Sequence, residues 1–258
     1  MLKKTAFSFL VFSLVSFVAF SAFAQVPGPA EDQPISKPIL ILFVLFIMSL
    51  APFILMMTTS FVKISVVLSL VRQAIGTQQI PPNQIITGLA LILTVYVMVP
   101  VGQEVYRAAS HEIREIDTNQ PVVSTASLDT LKRAAIAGKE PMREFLLRHV
   151  NNSERRLFYG FGKKLKMGET TGEDVSDRDF IVIVPAFVIS ELSEAFKIGF
   201  VLFLPFLVID MVVSNILLSM GMFQLSPVTV SLPFKLLLFV LVDGWYLITK
   251  GLVAGYVN

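Results

Sequence analysis

The sequence predicts an all-α, polytopic helical membrane protein with two long hydrophobic helical hairpins and a small extracytoplasmic helical domain. The first observation is composition: 54% of the 258 residues are hydrophobic and 16% are charged, against roughly 25% charged in soluble domains. The second is the arrangement of four apolar blocks, two before and two after one polar region. The third is the absence of cysteine from the sequence, which excludes disulfide frameworks and thiolate metal sites.

The N-terminal segment has the three parts of a secretory signal peptide. Two lysines in MLKKT precede an apolar stretch rich in Phe, and AFA then supplies the small-x-small pattern of a cleavage site. We therefore expect residues 1–24 to be removed between Ala24 and Gln25, which leaves residues 25–38 as a Pro-rich lead-in outside the cytoplasm. The alternative is an uncleaved first membrane helix, for which the apolar stretch is short.

Four apolar blocks follow, and they organise the mature chain. We expect residues 39–103 and 180–258 to form the two hydrophobic hairpins, with residues 104–179 as the polar periplasmic domain between them. An apolar run of about 20 residues is long enough to cross a bilayer as a helix. The blocks themselves cover residues 39–59, 85–101, 180–220 and 228–248.

The connection between the first two blocks is basic. Residues 60–84 contain Lys63 and Arg72 and no acidic residue, so the excess of positive charge places this connection in the cytoplasm. That placement agrees with an N-terminus outside the cytoplasm. We expect Lys63 and Arg72 to lie at the membrane interface, with their alkyl stems along apolar surface, and Gly76 to mark a turn.

The polar region predicts three short amphipathic helices. The segments are ASLDTLKRAAIAG, EPMREFLLRHV and SERRLFYGFGKK, and the first is expected to stop at Gly138. His111 and His149 are far apart and have no ligand-spaced partner, so we expect both at the surface and no metal site. The net charge of +2 and the lack of basic patches with interleaved aromatic residues argue against a nucleic-acid partner.

The third apolar block is too long for one ordinary span. As a continuous helix, residues 180–220 would extend roughly 60 Å, about twice the thickness of the hydrocarbon layer. The block also contains Glu191, Glu194, Lys197 and Asp210. A charge at the centre of a lipid-facing helix costs at least about 2.5 kcal/mol. We therefore expect these side chains to face protein or water.

These charges do not balance locally. Glu191, Glu194 and Lys197 follow one another at a spacing of three residues, so a local ion pair is the simplest expectation, but it cannot neutralise both acids and one carboxylate needs a partner elsewhere. Lys235 in the fourth block is an isolated cation in sequence, and Asp243 is a further intramembrane charge.

The segment SMGMFQLSP joins the last two blocks. Gly221, Ser226 and Pro227 are typical turn residues, whereas Met222 and Phe223 are bulky and apolar. By residue type alone, these two side chains either pack inside the protein or line a constriction.

Two stretches of the last two blocks read DRDFIVIVPAFVISELSEAFKIGFVLFLPFLVIDMVVSNILLSMGM and LSPVTVSLPFKLLLFVLVDGW. They resemble the FliP family of flagellar biosynthesis proteins of the type III export gate, which is shared with the injectisome SctR proteins. TSFVKISVVLSLVRQAIGTQQIPPNQIITGLALILT matches as well, so the resemblance covers nearly the whole mature chain. The signal peptide and the VDGW sequence favour the flagellar branch.

The resemblance implies a non-enzymatic, pore-forming subunit that passes unfolded flagellar proteins across the bacterial inner membrane. It implies a pentamer with FliQ and FliR homologues, set among other export-apparatus proteins in the flagellar basal body, largely on the periplasmic side, and no cofactor. The family's inter-subunit ion pair falls on Glu191 and Lys235. Its constriction, a ring of Met residues, falls on Met222, Phe223 and Gln224, of which this sequence keeps one Met.

Two other classes of function compete with this one. Glu191, Glu194 and Asp210 are the carboxylates that an ion-coupled solute transporter would use. A membrane enzyme lacks support, because the sequence shows no paired Asp motif, no HExxH or GxSxG, and no phosphate-binding glycine loop.

Overall fold

The computed structural model describes residues 37–77, 80–114, 125–165 and 175–257. The regular structure in these ranges is helical, as predicted. The expected signal peptide and its junction between Ala24 and Gln25 lie outside the described residues. The helices are α1 (Lys37–Thr58), α2 (Phe61–Ile75), α3 (Asn83–Arg114), α4 (Thr125–His149), α5 (Asn152–Lys164), α6 (Phe180–Ser219), α7 (Pro227–Leu241) and α8 (Gly244–Val257).

The chain divides into two units, Met1–Ala51 and Pro52–Asn258, and the packing given below is that of the second unit. By length and composition, two described helices can cross a membrane: α3 over Asn83–Ser110, and α6. Two bent pairs of helices also qualify if each pair counts as one span. The first pair, Leu45–Thr58 of α1 with α2, is bent by 68°, and the second, α7 with α8, by 59°.

Helix α2 lies in the core of the second unit. Ile64, Val67, Leu68 and Val71 are fully buried, and their spacing puts them on one helical face, where α2 packs against α3 and α6. The connection over residues 60–84 therefore contains a buried helix over its first part. FVKISVVLSLVRQAI is an amphipathic helix, and a search for long uninterrupted apolar runs does not detect one.

The approach of α2 to α6 is close. A Cβ atom added to Gly199 of α6 would lie 2.3 Å from Cδ1 of Leu70 on α2, a separation that real Cβ atoms do not tolerate. Glycine at this position therefore lets the two helices pack with their backbones near each other.

The polar region forms two described helices, not three. Helix α4 runs through Gly138 and Pro141 without a break. Gly138 lies inside this helix, where its lack of a side chain lets α4 pack closely against α3: a Cβ atom there would lie 3.1 Å from Cγ1 of Val105 on α3. Beyond Pro141, burial of Phe145 and Leu146 stabilises the continued helix.

Candidate functional site

A buried carboxylate joins three helices of the second unit. Glu191 of α6 has no exposure to solvent, and its Oε1 lies 3.1 Å from Nζ of Lys63 on α2. The hydroxyl of Tyr256 on α8 donates a hydrogen bond to Oε2 of Glu191. Nζ of Lys63 also lies 4.4 Å from the centroid of the Tyr256 ring, a distance at which a cation is attracted to the ring face.

Lys63 also binds the second carboxylate of α6. Its Nζ is 2.6 Å from Oε2 of Glu194, so Glu194 pairs with Lys63 in place of the expected local partner Lys197, which lies exposed. The expectation that Lys63 lies at the membrane interface was wrong, since the residue is 4% exposed. The physical reason is that a carboxylate as enclosed as Glu191 needs a nearby cation.

His149 lies beside this cluster. Its ring centroid is 4.6 Å from that of Phe145 and 5.0 Å from that of Tyr256, and its Nδ1 is 2.9 Å from the carbonyl oxygen of Phe145. The prediction of a surface position was wrong for His149, which is half-buried. This burial lowers the pKa of its imidazole, and the charge of Lys63 acts in the same direction. The side chain of His111 lies outside the described residues.

A second polar cluster joins α6 to α7. Nζ of Lys235 lies 2.6 Å from Oδ2 of Asp210, and the hydroxyl of Ser231 donates a hydrogen bond to Oδ1 of the same carboxylate. Lys235, isolated in sequence, is therefore paired within the chain. A Cβ atom added to Gly76 would be 3.7 Å from Nζ of Lys235, so this ammonium group lies beside the turn that ends α2.

Glu191 and Lys235 thus have different partners within one chain. Glu191 contacts Lys63 and Tyr256, and Lys235 contacts Asp210. A contact between Glu191 and Lys235 of neighbouring subunits stays a prediction.

The loop after α6 has a well-defined backbone. Gly221 has φ of +73°, its N–H donates to the carbonyl of Leu218, and the N–H of Met222 donates to the carbonyl of Leu217. These two hydrogen bonds form a Schellman motif, in which glycine supplies the left-handed residue. Ser226 occupies the N-cap of α7 and Pro227 its first turn, where a missing N–H has no consequence for the helix.

The side chains of this loop are not packed within the chain. Met222 is 41% exposed and Phe223 is 77% exposed, and Gln224 is exposed as well. Met222 and Phe223 are therefore not packed in the core of the single chain, which was one of the two possibilities for these side chains.

The remaining charged residues lie near turns. A guanidinium nitrogen of Arg72 donates to the carbonyl of Pro81 at 3.4 Å and to the side chain of Asn83, which ties the end of α2 to the start of α3. Asp243 is exposed and has φ of +51° at the bend between α7 and α8. Within the described residues, no group of His, Asp and Glu is arranged to hold a metal ion.

The sequence contains a usable signal for the position of Lys63 but little for that of Tyr256. The amphipathic period around Lys63 puts it next to Ile64 and Val67 on the buried side of α2. Tyr256 stands near the C-terminus, 65 residues from Glu191, and residue spacing alone does not reveal a contact over that separation.

The fold and these clusters define a helical membrane protein with buried ion pairs between its helices and an α6–α7 hairpin that ends in an exposed apolar loop. Residues 44–252 match the FliP family. The chain belongs to the FliP family.

Three relatives show the range of the family. The flagellar biosynthetic protein FliP of Bacillus subtilis is 42% identical over 234 residues, which cover 91% of this chain and 99% of the relative. The Yop proteins translocation protein R of Yersinia pestis is 47% identical over 216 residues, 84% of this chain and 95% of the relative. The hypersensitivity response secretion protein HrcR of Ralstonia nicotianae is 41% identical over 208 residues, which cover 81% of this chain and 92% of the relative.

Proposed function

We propose that this protein is a pore-forming subunit of the flagellar type III protein export gate, which passes unfolded flagellar proteins across the inner membrane for flagellum assembly. The observation that carries the proposal is membership of the FliP family over residues 44–252. Relatives named for flagellar biosynthesis and for translocation or secretion have protein export in common. The flagellar branch rests on the signal peptide and the VDGW sequence.

In this role the subunit works as part of a larger complex. We expect a pentamer with FliQ and FliR homologues, together with other export-apparatus and basal-body proteins, largely on the periplasmic side of the inner membrane. The uncovered apolar surface of α6 and α7 supports an assembly, because large exposed apolar surfaces normally face lipid or another protein chain. Examples are Phe196, Phe200, Leu237 and Val240. The role requires no catalytic residue and no cofactor.

The charge balance around Glu191 supports an inter-subunit ion pair with Lys235. The cluster contains two carboxylates, Glu191 and Glu194, and one cation, Lys63. One negative charge is therefore left over. Because Glu191 is buried within the chain, a cation of a neighbouring subunit reaches it only if the side chains around it move on assembly. An ammonium group has three donors, so Lys235 can keep its contact with Asp210 while it approaches a neighbour.

The constriction is assigned to Met222, Phe223 and Gln224. A channel for unfolded chains must let every kind of side chain pass, so it needs a deformable apolar ring and not a rigid filter. Met is flexible and polarizable, and an apolar constriction blocks water and ions by dewetting. Gly221 and the N-terminal turn of α7 hold the loop that carries these side chains.

The ion-coupled transporter has no observation in its favour. Of its three carboxylates, Glu191 and Glu194 contact Lys63 and Asp210 contacts Lys235. Such ion pairs neutralise the charges that a transported cation would otherwise bind.

The test is the resting conductance of the assembled complex in a planar bilayer. Replacement of Met222 and Phe223 by Ala is expected to leave assembly intact and to let small ions leak. Met211→Ala is the matched control, since Met211 is an exposed Met of α6 away from the loop, and it should keep the parent's conductance. A correctly assembled double variant that conducts like the parent would contradict the gate assignment.

A further inference from the structure

Asp210 connects the two arms of the hairpin that carries the exposed loop. Its Oδ2 faces Nζ of Lys235 at 2.6 Å, and its Oδ1 accepts from the hydroxyl of Ser231. Both partners belong to α7 and both are buried. Since each carboxylate oxygen has a partner of its own, the two helices are fixed in rotation as well as in distance at this point.

The contact lies close to the loop along the chain. Asp210 is nine residues before the last residue of α6, Ser219, and Ser231 is four residues after the first residue of α7, Pro227. At the usual rise per residue these separations correspond to about 14 Å and about 6 Å. The Asp210 cluster therefore lies near the base of the loop.

The loop depends on these arms for its position. Met222 and Phe223 are exposed, and a Cβ atom on Gly221 would meet no described atom within 4 Å. The N–H groups of Gly221 and Met222 donate to carbonyls of the last turn of α6, so the start of the loop follows that helix as it moves.

The cluster is also attached to the core. Nζ of Lys235 lies next to Gly76, at the end of α2, and α2 is the buried helix of the second unit. The Asp210 cluster therefore lies against the end of α2 through Lys235.

We propose that Asp210 is a positioning residue of the gate: through Lys235 and Ser231 it locks α6 against α7 and so holds Met222 and Phe223 in the closed arrangement. This inference rests on the proposed function, because it assigns a role to Asp210 within that gate. It separates Asp210 from Glu191, which has its own partners in Lys63 and Tyr256 and is assigned to contacts between subunits.

The experiment measures the resting conductance of the complete gate assembled with Asp210→Asn. The amide keeps the size of the side chain and an acceptor for Ser231, but it removes the anion that Lys235 contacts within its own chain. We expect the complex to assemble and its resting conductance to rise several-fold, toward that of the Met222→Ala and Phe223→Ala double variant. Asp210→Glu keeps the charge and should retain most of the closure.

A matched control is Asp177→Asn, which removes a carboxylate paired with Arg155 in the polar region. It should leave the conductance at the parent's value. A leak in Asp210→Glu as large as that in Asp210→Asn, or no leak in Asp210→Asn, would overturn the proposal. If the double Ala variant does not leak either, the gate itself is wrong; if it leaks and Asp210→Asn does not, only the role of Asp210 is wrong.

A second measurement covers the case in which Asp210→Asn prevents assembly. The chain has no cysteine, so Gln224→Cys provides a single site for a spin label in the loop of the full-length protein in detergent. Greater mobility of this label in the Asp210→Asn background supports the proposal, and unchanged mobility overturns it.

Discussion

The carboxylate of Glu191 is enclosed by protein and depends on Lys63 and Tyr256 for its stability. A buried ion pair is costly to form and more costly to break, because removal of one partner leaves the other charge without compensation in a medium of low dielectric constant. Lys63 is the most important partner, because it is the cation for both Glu191 and Glu194.

Lys63→Met is therefore expected to destabilise the protein by about 3 to 5 kcal/mol, measured as denaturant unfolding of the full-length chain in detergent micelles. Met has a similar length and lacks the charge, so the loss reports the stranded carboxylate of Glu191. Lys197→Met, at an exposed position of α6, should change stability by less than about 0.5 kcal/mol. The Lys63→Met and Glu191→Gln double variant should recover part of the loss; a double variant as unstable as the sum of the singles would show that the pair is not coupled.

Sequence reasoning at this scale predicted the backbone of the loop better than the partners of the charges. Gly221 and Pro227 act over a few neighbouring residues, and those neighbours are visible in the sequence. The pairing of Glu191 with Lys63 and Tyr256 depends on three helices meeting, which residue spacing does not specify.

At the scale of helices, the bend between α7 and α8 has an identifiable steric cause. Asp243 takes a positive φ of 51°, and Gly244 then begins α8 directly against the ring of Phe239. A Cβ atom at Gly244 would lie 2.2 Å from that ring. Phe239 is buried, so the ring has little room to move away.

Gly244→Ala is expected to lower stability by about 1 to 3 kcal/mol through overpacking, measured by thermal unfolding of the full-length protein in detergent. Gly251→Ala is the matched control on the same helix, because a Cβ atom there meets no described atom within 4 Å. It should be neutral or stabilising by up to about 1 kcal/mol, since Ala favours helix more than Gly does. Equal effects of the two substitutions would contradict the steric account of the bend.

The helices differ in how far the sequence predicts them. The apolar block of residues 180–220 forms the single helix α6 up to Ser219, although four charged residues lie within it. Helix α2 was missed because its polar residues break the apolar run, and α4 was divided at Gly138 because a glycine that packs against Val105 looks in sequence like one that ends a helix. In both α2 and α4, packing against neighbouring helices determines the structure, and the local sequence does not show this packing.

At the scale of the whole molecule, two features have no partner among the described residues of the single chain: the exposed apolar surface and the excess negative charge around Glu191. The surface includes Phe200 and Val240, and the charge comes from Glu191 and Glu194 around Lys63. Lipid or another subunit would cover the apolar surface, whereas the excess charge requires a cation, so assembly is the level at which the proposed pair of Glu191 and Lys235 is tested.

Charge reversal gives that test. Glu191→Lys and Lys235→Glu should each weaken the multimer, because each leaves a like-charge contact or an unpaired charge in a desolvated interface, where breaking a buried pair costs about 3 to 5 kcal/mol. The double reversal should recover part of the assembly if the two side chains meet between subunits, as measured by native gels of the complex. Each reversal also disturbs a contact within the chain, with Lys63 for Glu191 and with Asp210 for Lys235. If those internal contacts were the only ones, the double variant would assemble less well than either single variant, and the inter-subunit pair would have to be abandoned.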